Sequence, residues 1–544
     1  MARMTGGQAL VKSLIGNGVE TLFALPGVQL DHMFNALHDE GNAIRVINTR
    51  HEQGAAYMAL GYALATGDVG AYAVVPGPGV LNTTAALATA YGVHARVLCV
   101  TGQVPSAHIG RGLGMLHEIP DQLGVLRGLT KWAGRIEHPV EAPDKVDEAF
   151  RHLRNGAPRP AGLEMAMDLM ADAAEVRLKP PAEAEPPVPA DPELIAKAAE
   201  LLAGAAQPAI FVGSGVFGAE AELRALAELL QAPVVSNRTG HGALSARHPL
   251  ALTQLGGMRL WARADVVLAV GTRLQPQRMN WGTDEKLKII HVTIDGAELK
   301  RVSTPAVGIA ADAKVALAAL LEALAGKLKK PASREAEIAA IRQDVKETLE
   351  SRLGPQMEWI GVLRRALDDD GIFVEELTQV GYVARMGFPV YEPRTYIASG
   401  YQGTLGFGYA TALGVKVARP EKQVLSISGD GGFMYNVQEL STAVKHNIPV
   451  VAVVFCDGAY GNVQRMQKEL HGGRVIATDL QNPDFVRLAE SFGAAGYRAA
   501  SPAALSDVLG DAFRQNRPAL VEVPVGAMPD PWSLAVPPRI RPAR

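Results

Sequence analysis

Two short apolar runs in the last quarter of the chain each end in an aspartate that is followed by a glycine. Residues 424–429 lead into Asp430 and residues 450–456 lead into Asp457, which lies 27 positions later. Residues 436–445 have helical spacing, so the segment predicts a strand–helix–strand unit. Strands joined in this way are parallel neighbours whose carboxyl ends share one edge of the sheet. The pattern therefore predicts an open parallel sheet with two acidic groups at its ligand-binding edge.

The residue types at these turns suit a metal ion that holds a phosphate group. Carboxylates are hard oxygen ligands for Mg²⁺, which commonly combines one or two of them with phosphate oxygens. Gly431 and Gly432 follow Asp430 and let the backbone approach a phosphate while opening a helix whose first amides attract anions. A lone Gly-Asp-Gly is nevertheless commonly a tight turn, so the motif needs independent support.

The order and spacing of these residues resemble the diphosphate motif of thiamine diphosphate enzymes. Almost the whole chain resembles the acetolactate synthase, benzaldehyde lyase and 2-oxoacid decarboxylase group within that superfamily. The resemblance implies that Asp430, Asp457 and the backbone carbonyl of Ala459 hold Mg²⁺. It further implies cofactor contacts from Gly429, Asp430, Gly431, Gly432, Asp457, Ala459, Tyr460 and Gly461. The family usually has Asn-Asn where this chain has Cys456-Asp457, so Asp457 adds a negative charge and the role of Cys456 is open.

A glutamate at the start of a small-residue helix is the second signal. Residues 44–48 predict a strand, and Glu52 follows it at the start of a segment rich in Ala and Gly. In the resembled family this glutamate hydrogen-bonds N1′ of the thiamine pyrimidine, which makes the amino group of that ring a base. Burial beside an apolar ring raises a carboxyl pKa toward the range in which its proton is shared. An isolated glutamate would more often be a helix N-terminal acid, but both motifs together favour Glu52 as the main catalytic residue.

Further cofactor contacts follow from the resemblance alone. Gly403, Thr404 and Leu405 lie in a glycine-rich segment similar to the one whose bulky apolar residue wedges the cofactor into its bent form. Leu405 is the expected wedge, whereas outside this family it would be a core leucine in a turn. Thr378 and Gln379 match positions that contact the diphosphate in relatives.

Three loop residues are the catalytic candidates on the substrate side. Gln29 stands where benzaldehyde lyase has a histidine, and His117 stands where relatives place a glutamine near the cofactor. A loop histidine bonded to its neighbours is an equally good interpretation of His117. Gln103 lies in a loop similar to that of acetolactate synthases, and the His-His pair usual in pyruvate decarboxylases is missing near it. Met466 departs from the acetolactate synthase pattern, which has a tryptophan there.

The resemblance implies decarboxylation of a 2-oxo acid with carboligation to a second carbonyl, as in acetolactate synthases. The alternatives within the family are a non-ligating 2-oxoacid decarboxylase and a benzaldehyde lyase-like 2-hydroxy-ketone lyase. A catalytically inactive regulatory or scaffold subunit is the alternative of another class, but such a copy should have lost Glu52 or Asp430. FAD is a further candidate cofactor, because residues 213–215 and 271–273 partly match the flavin site of acetolactate synthases. Turns of a central domain without flavin explain these residues slightly better than a flavin site does.

Strand-like runs alternate with helical stretches along the chain, so the predicted fold class is α/β with doubly wound parallel sheets. Proline-rich residues 179–193 predict an extended linker, and a second break lies near 327–335. The resemblance implies three domains in the order pyrimidine-binding (1–175), central (190–328) and diphosphate-binding (350–544).

Composition and charge limit the classes of binding partner that are expected. The formal net charge of −3 gives no bias toward polyanions, so no nucleic acid is expected. Two cysteines predict no disulfide framework. Neither a signal-peptide pattern nor an apolar run of about eighteen residues is found, so no membrane contact and a cytoplasmic location are expected. The resemblance implies small-molecule partners, a homodimer as the minimal active unit and a homotetramer as the usual assembly.

Overall fold

The computed structural model describes residues 1–181, 185–327, 331–536 and 538–542. Within them, helices alternate with strands, and the strands form three six-stranded sheets and one two-stranded sheet. The α/β class predicted from the sequence is confirmed. No helix among the described residues is long and apolar enough to cross a bilayer.

The first third of the chain holds eight strands and eight helices. Its strands are β1 (Ala2–Thr5), β2 (Thr21–Ala24), β3 (Arg45–Asn48), β4 (Gly70–Val74), β5 (Val97–Gln103), β6 (Trp132–Ile136), β7 (Ala161–Ala166) and β8 (Ala173–Val176). Its helices are α1 (Gly6–Gly16), α2 (Asp31–Glu40), α3 (Glu52–Thr66), α4 (Pro78–Asn82), α5 (Thr84–Val93), α6 (Gln122–Leu129), α7 (Ala142–Arg154) and α8 (Met167–Ala171).

The middle third follows the same alternation. Its strands are β9 (Pro208–Val212), β10 (Val234–Ser236), β11 (Ala251–Thr253), β12 (Val266–Val270), β13 (Lys288–Thr293) and β14 (Val307–Ala310). Its helices are α9 (Pro192–Ala203), α10 (Glu220–Leu230), α11 (Gln254–Trp261) and α12 (Ala313–Leu324).

The last third holds the remaining elements. Its strands are β15 (Ile372–Glu375), β16 (Tyr396–Ala398), β17 (Val424–Gly429), β18 (Val451–Cys456), β19 (Ala495–Arg498) and β20 (Ala519–Pro524). Its helices are α13 (Glu335–Ala366), α14 (Gln379–Gly387), α15 (Phe407–Ala418), α16 (Asp430–Phe433), α17 (Glu439–Lys445), α18 (Gly461–Leu470), α19 (Phe485–Phe492), α20 (Pro502–Gln515) and α21 (Trp532–Ala535).

The described chain divides into two compact units. The first comprises Met1–Glu185, Ser399–Ala500 and Asp507–Pro524, and the second comprises Pro186–Ala398, Ser501–Ser506 and Val525–Arg544. The domain boundaries at 175, 190, 328 and 350 stay predictions.

The first unit contains the parallel sheet β3-β2-β4-β5-β7-β6. Strands β1 and β8, which come first and last in this part of the chain, form a separate antiparallel pair. Its middle strands are buried on both faces, as parallel strands covered by helices must be. The loops after β2, β3 and β5 leave the same edge of this sheet, and they carry Gln29, Glu52 and the residues after Gln103. The sheet therefore places the predicted catalytic residues Gln29, Glu52 and Gln103 at its carboxyl edge.

The same unit contains β17, β18, β20 and β19 as parallel neighbours in that order. Gly429 pairs with Phe455 across β17 and β18, so both strands end at the same level. The predicted strand–helix–strand unit is present, but its helical part is divided into α16 and α17. Asn436 lies at the break, where its side chain donates to the Gly406 carbonyl at 2.6 Å.

The second unit contains the parallel sheet β11-β10-β9-β12-β13-β14 and the parallel pair β15 and β16. The predicted linker extends less far than expected, because α9 already begins at Pro192. Proline is accepted at the first helical position, where its missing N–H would have no intrahelical partner. Residues 182–184 of the linker and 328–330 of the second break lie outside the described residues.

Helices α3 and α15 of the first unit cross at very close range. A Cβ atom on Gly61 would lie 2.0 Å from the Thr411 carbonyl oxygen, and one on Gly414 would lie 1.9 Å from the Met58 carbonyl oxygen. Glycine is required at both positions because the two backbones touch. This crossing fixes the body of the helix that begins at Glu52.

We expect Gly61→Ala to destabilise the protein by about 1–3 kcal/mol, because an added methyl group must separate two packed backbones. Helix propensity alone predicts the opposite sign, a gain of up to about 1 kcal/mol. Gly128→Ala is the matched control, since nothing lies within 4 Å of a Cβ atom there in α6. Thermal unfolding midpoints should fall for Gly61→Ala only. Equal midpoints would show that the crossing tolerates the extra atom.

Candidate functional site

Asp430 is a buried carboxylate at the carboxyl end of β17, with 1% of its surface exposed. Its Oδ1 accepts from the Gly431 amide at 2.9 Å. Its Oδ2 accepts from the Gly458 amide at 2.8 Å and from Asn482 Nδ2 at 2.6 Å. All of these donors are neutral N–H groups, and no described ion pair includes Asp430. Such a carboxylate is costly to desolvate unless a cation neutralises it.

Asp457 follows β18, the parallel neighbour of β17, and its Oδ1 accepts from the Ala459 amide at 3.2 Å. The two carboxylates and the Ala459 carbonyl are oxygen donors of the type that Mg²⁺ prefers. Among the described residues, no group of three His, Cys, Asp or Glu side chains is arranged to hold a metal. The donor set thus fits an ion that completes its shell with a backbone carbonyl and ligand oxygens.

The turn that carries Asp457 is held by the segment after α18. The Tyr460 amide donates to the Thr478 carbonyl at 2.8 Å. A Cβ atom on Gly431 would lie 2.7 Å from the Tyr460 ring, and one on Gly461 would lie 2.5 Å from Asp457 Oδ2. Gly431 therefore allows the two aspartate segments to pack together, and Gly461 leaves room for the Asp457 side chain within its own turn.

Cys456, which stands at the first position of the departure from Asn-Asn, carries a neutral thiol. Burial raises its pKa, and the charges of Asp430, Glu522 and Asp457 raise it further. Its S–H group donates to the Val454 carbonyl at 3.4 Å. The side chain therefore adds no negative charge to the two carboxylates.

Asn482 was not among the site residues predicted from the sequence. It lies 52 positions beyond Asp430 and reaches that carboxylate only because the turn after α18 returns to the sheet edge. No local pattern around it signals this contact.

Glu52 is the first residue of α3, and its side chain is 14% exposed. Asn82 Nδ2, at the end of α4, donates to Glu52 Oε2 at 3.0 Å. His51 caps the helix, because its Nδ1 accepts from the Gln53 amide at 3.1 Å. One carboxylate oxygen of Glu52 is thus oriented by an amide, and Asn82 is a second residue that the sequence did not indicate.

The glycine-rich segment before α15 contacts the first sheet's helices. Tyr57 Oη donates to Thr404 Oγ1 at 2.9 Å, and the hydroxyls of Thr404 and Thr89 lie 3.2 Å apart. Gly403 has a φ of +59°, in the left-handed region that favours glycine. Leu405 is half-buried in this turn rather than enclosed in a core. Its role as the wedge stays a prediction.

Gln29 and His117 bond to each other. His117 Nδ1 donates to Gln29 Oε1 at 3.0 Å, and Gln29 Nε2 donates to the Leu116 carbonyl at 3.0 Å. His117 has a φ of +67°, which is unusual for a residue with a side chain. A Cβ atom on Gly77 would lie 2.3 Å from the His117 carbonyl, so the loop is seated closely on the sheet edge.

Glu118 holds the remainder of that loop. Its carboxylate accepts from the amides of Gly112, Leu113 and Met115 at 2.9–3.3 Å. These backbone bonds, led by the one from Met115, lower the pKa of Glu118. The loop that presents His117 is therefore a defined turn.

Gln103 points toward a buried polar network. Its Oε1 accepts from the Val104 amide at 2.8 Å, and its Nε2 lies 3.5 Å from Glu164 Oε2. Glu164 also accepts from Gln122 Nε2 at 2.8 Å and from Arg135 Nε at 2.5 Å. The catalytic role of Gln103 stays a prediction, while this network fixes the end of β5.

Thr378 and Gln379 belong to the second unit. Thr378 caps α14 by accepting from the Gly381 amide at 2.8 Å. Gln379 Oε1 accepts from the Met528 amide at 2.8 Å. Both residues follow the carboxyl end of β15, and their contact with the diphosphate stays a prediction.

Three family models match the chain in the order in which its sheets occur. The N-terminal TPP binding domain of thiamine pyrophosphate enzymes matches residues 4–125, the central domain matches residues 195–320, and the C-terminal TPP binding domain matches residues 378–523.

Curated relatives match the chain over nearly its whole length. The probable acetolactate synthase large subunit of Methanocaldococcus jannaschii is 34% identical over 97% of this chain and 93% of its own. The acetolactate synthase isozyme 3 large subunit of Escherichia coli is 32% identical over 96% and 95%. The probable 2-ketoarginine decarboxylase AruI of Pseudomonas aeruginosa is 32% identical over 90% and 89%. The chain is therefore an enzyme of the thiamine pyrophosphate family, similar throughout to acetolactate synthases.

Proposed function

We propose that the protein decarboxylates a 2-oxo acid and joins the remaining acyl fragment to a second carbonyl compound, in a Mg²⁺-dependent reaction of acetolactate synthase type. The observation that carries this proposal is the buried Asp430 carboxylate, which has only neutral donors among its described partners. With Asp457 and the Ala459 carbonyl beside it, this carboxylate suits Mg²⁺ bound to a diphosphate.

At the other end of the cofactor, Glu52 would meet the pyrimidine ring. A carboxylate that one amide orients, as Asn82 orients Glu52, can share its second oxygen with a ring nitrogen. When bound, thiamine diphosphate supplies a nucleophilic thiazolium carbon that also accepts the electrons released on loss of CO₂. The protein's part is to hold a proton at Glu52, to fix the diphosphate near Asp430 and to exclude water.

The proposed domains are pyrimidine-binding (1–175), central (190–328) and diphosphate-binding (350–544), and the proposed active unit is a homodimer assembled into a homotetramer. Helix α18 supports an interface, because none of its residues is buried. Leu470 at the end of this helix is 65% exposed, and Ile476 beyond it is 75% exposed. Leu116 in the His117 loop is 62% exposed. Exposed apolar residues on both halves of the site are consistent with burial against a second copy.

Apolar residues beside Gln29 and His117 support ligation over simple protonation. The nitrogen and the oxygen of the Gln29 amide both bond within the His117 loop, so Gln29 holds that loop in place. Exposed Val28, Leu113 and Leu116 supply apolar surface beside it. Such surface favours an apolar acyl fragment and disfavours water.

A non-ligating 2-oxoacid decarboxylase is the second candidate, since one matched relative is named as a decarboxylase. Flavin stays a candidate cofactor only, because residues 213–215 and 271–273 match the flavin site of acetolactate synthases in part and serve equally well as turns. The two glycine turns that partly match a flavin site pack on each other, with the Gly215 amide donating to the Gly271 carbonyl at 3.1 Å.

The proposed reaction is tested with the protein loaded with thiamine diphosphate and Mg²⁺. We expect pyruvate or another small 2-oxo acid to give CO₂ and a ligated product. The product is a 2-hydroxy-2-alkyl-3-oxo acid when a second 2-oxo acid is the acceptor and a 2-hydroxy ketone when an aldehyde is. Mass spectrometry identifies it with and without an added carbonyl acceptor. Protein without Mg²⁺ is the control. Formation of CO₂ and free aldehyde alone, at every acceptor concentration, would favour the decarboxylase.

Glu52→Gln should slow hydrogen–deuterium exchange at C2 of bound thiamine diphosphate by about 10²–10⁴-fold, because the amide cannot take the shared proton. NMR of quenched samples measures this rate. Glu137→Gln, which removes an exposed carboxylate from the same sheet's domain, is the control and should exchange at the normal rate. Equal rates for Glu52→Gln and the unaltered protein would remove Glu52 from catalysis.

Asp430→Asn should weaken Mg²⁺-dependent binding of thiamine diphosphate by at least the roughly 10–100-fold that loss of outer-shell partners costs a metal site. The asparagine keeps the size of the side chain but loses the charge that binds the ion. Calorimetry with and without Mg²⁺ measures the effect, and Asp507→Asn on the surface of α20 is the control. Unchanged Mg²⁺ dependence would refute the metal assignment.

A further inference from the structure

Glu439 is a fully buried carboxylate at the start of α17, in the stretch of chain that follows Asp430. Both of its oxygens lie 3.2 Å from the Arg50 amide, and Oε1 also accepts from the His51 amide at 3.0 Å. Thr442 Oγ1 donates to Oε2 at 2.5 Å. The two amides that it binds belong to the residues immediately before Glu52.

The first turn of helix α3 packs directly against this carboxylate. A Cβ atom on Gly54, in the first turn of the helix, would lie 2.4 Å from Glu439 Oε1. The amides at a helix start have no intrahelical acceptor and carry partial positive charge, so an anion there satisfies both requirements. Glu439 supplies that anion from a segment almost 400 positions away in the chain.

Burying a carboxylate to hold a helix costs free energy, because the charge loses its contact with water. Burial raises the pKa of Glu439, while the Thr442 hydroxyl, the amides of Arg50 and His51 and the charge of Arg50 lower it. The close crossing of α3 and α15 already fixes the body of the helix. The bonds from Glu439 therefore act on a part that the crossing leaves free, the entry to the first turn.

We propose that Glu439 is a positioning residue that sets the location of the Glu52 carboxylate by fixing the backbone of residues 50 and 51. Glu439 touches neither substrate nor cofactor in this role and acts through Glu52. The inference rests on the proposed function only for the task of Glu52.

The main test is Glu439→Gln in the full-length protein. Glutamine keeps the size and one carbonyl oxygen, but it loses the charge and replaces Oε2, which accepts from the Arg50 amide and from Thr442 Oγ1, with an NH₂ group. Glu490→Gln is the matched control, because Glu490 is exposed on α19. Amide hydrogen exchange of a peptide covering residues 48–56 is measured without cofactor, and C2 exchange of thiamine diphosphate is measured at saturation with Mg²⁺.

We expect faster amide exchange at residues 50–53, little change in the dissociation constant of thiamine diphosphate, and C2 exchange slower by about 10–100-fold. A displacement of about 1 Å at a catalytic group has consequences of that size. In a Glu52→Gln background the added Glu439→Gln change should have no further effect on C2 exchange, because the two residues act as one unit.

The proposal is overturned if amide exchange rises while C2 exchange is unchanged, or if the two substitutions multiply in the double variant. Absence of C2 exchange in the unaltered protein would instead overturn the proposed function, and the amide exchange would still report on the bonds from Glu439. If Glu439→Gln does not fold, Thr442→Val removes one bond to the same carboxylate. It should slow C2 exchange in the same direction, and a normal rate would overturn the proposal.

Discussion

The buried Asp430 carboxylate is the constraint on which the site depends. Its described donors satisfy hydrogen bonds without neutralising charge. Those donors come from three segments of the chain, at Gly431, Gly458 and Asn482, so the carboxylate holds these segments together. Neutral donors leave the charge of this carboxylate uncompensated, which a divalent cation would offset in the proposed function, and the parallel pairing of β17 with β18 brings Asp457 to the same edge.

A similar principle operates at α3 by different means. The body of the helix is held by backbone contact with α15, which needs glycine at Gly61 and Gly414. The entry to the helix is held by the carboxylate of Glu439. The first contact is steric and leaves no room for a side chain, whereas the second is polar and directional. Together they fix both the axis and the first turn of the element that presents Glu52.

The sequence predicted most of the sheet edge, because strand ends and glycine turns are local patterns. Glu52, Asp430 and Asp457 each follow a strand in the structure as expected. Asn482, Asn82 and Glu439 were missed, since each acts on a residue that only the fold brings near. The split between α16 and α17 was also missed, because the bond from Asn436 to the Gly406 carbonyl is a contact between distant segments. Local spacing carries no information about such partners.

The predicted substrate side differs from the predicted cofactor side, because its polar groups hold loops. The amide of Gln29 bonds to the His117 loop, and the amide of Gln103 bonds to the Val104 amide and lies close to Glu164. His117 itself adopts a left-handed backbone that Glu118 and its bonded amides stabilise from the next position. Residues that hold loops in this way set the shape of a pocket rather than its acidity. Under the proposed function, substrate preference should therefore depend on the exposed apolar surface of Val28, Leu113 and Leu116.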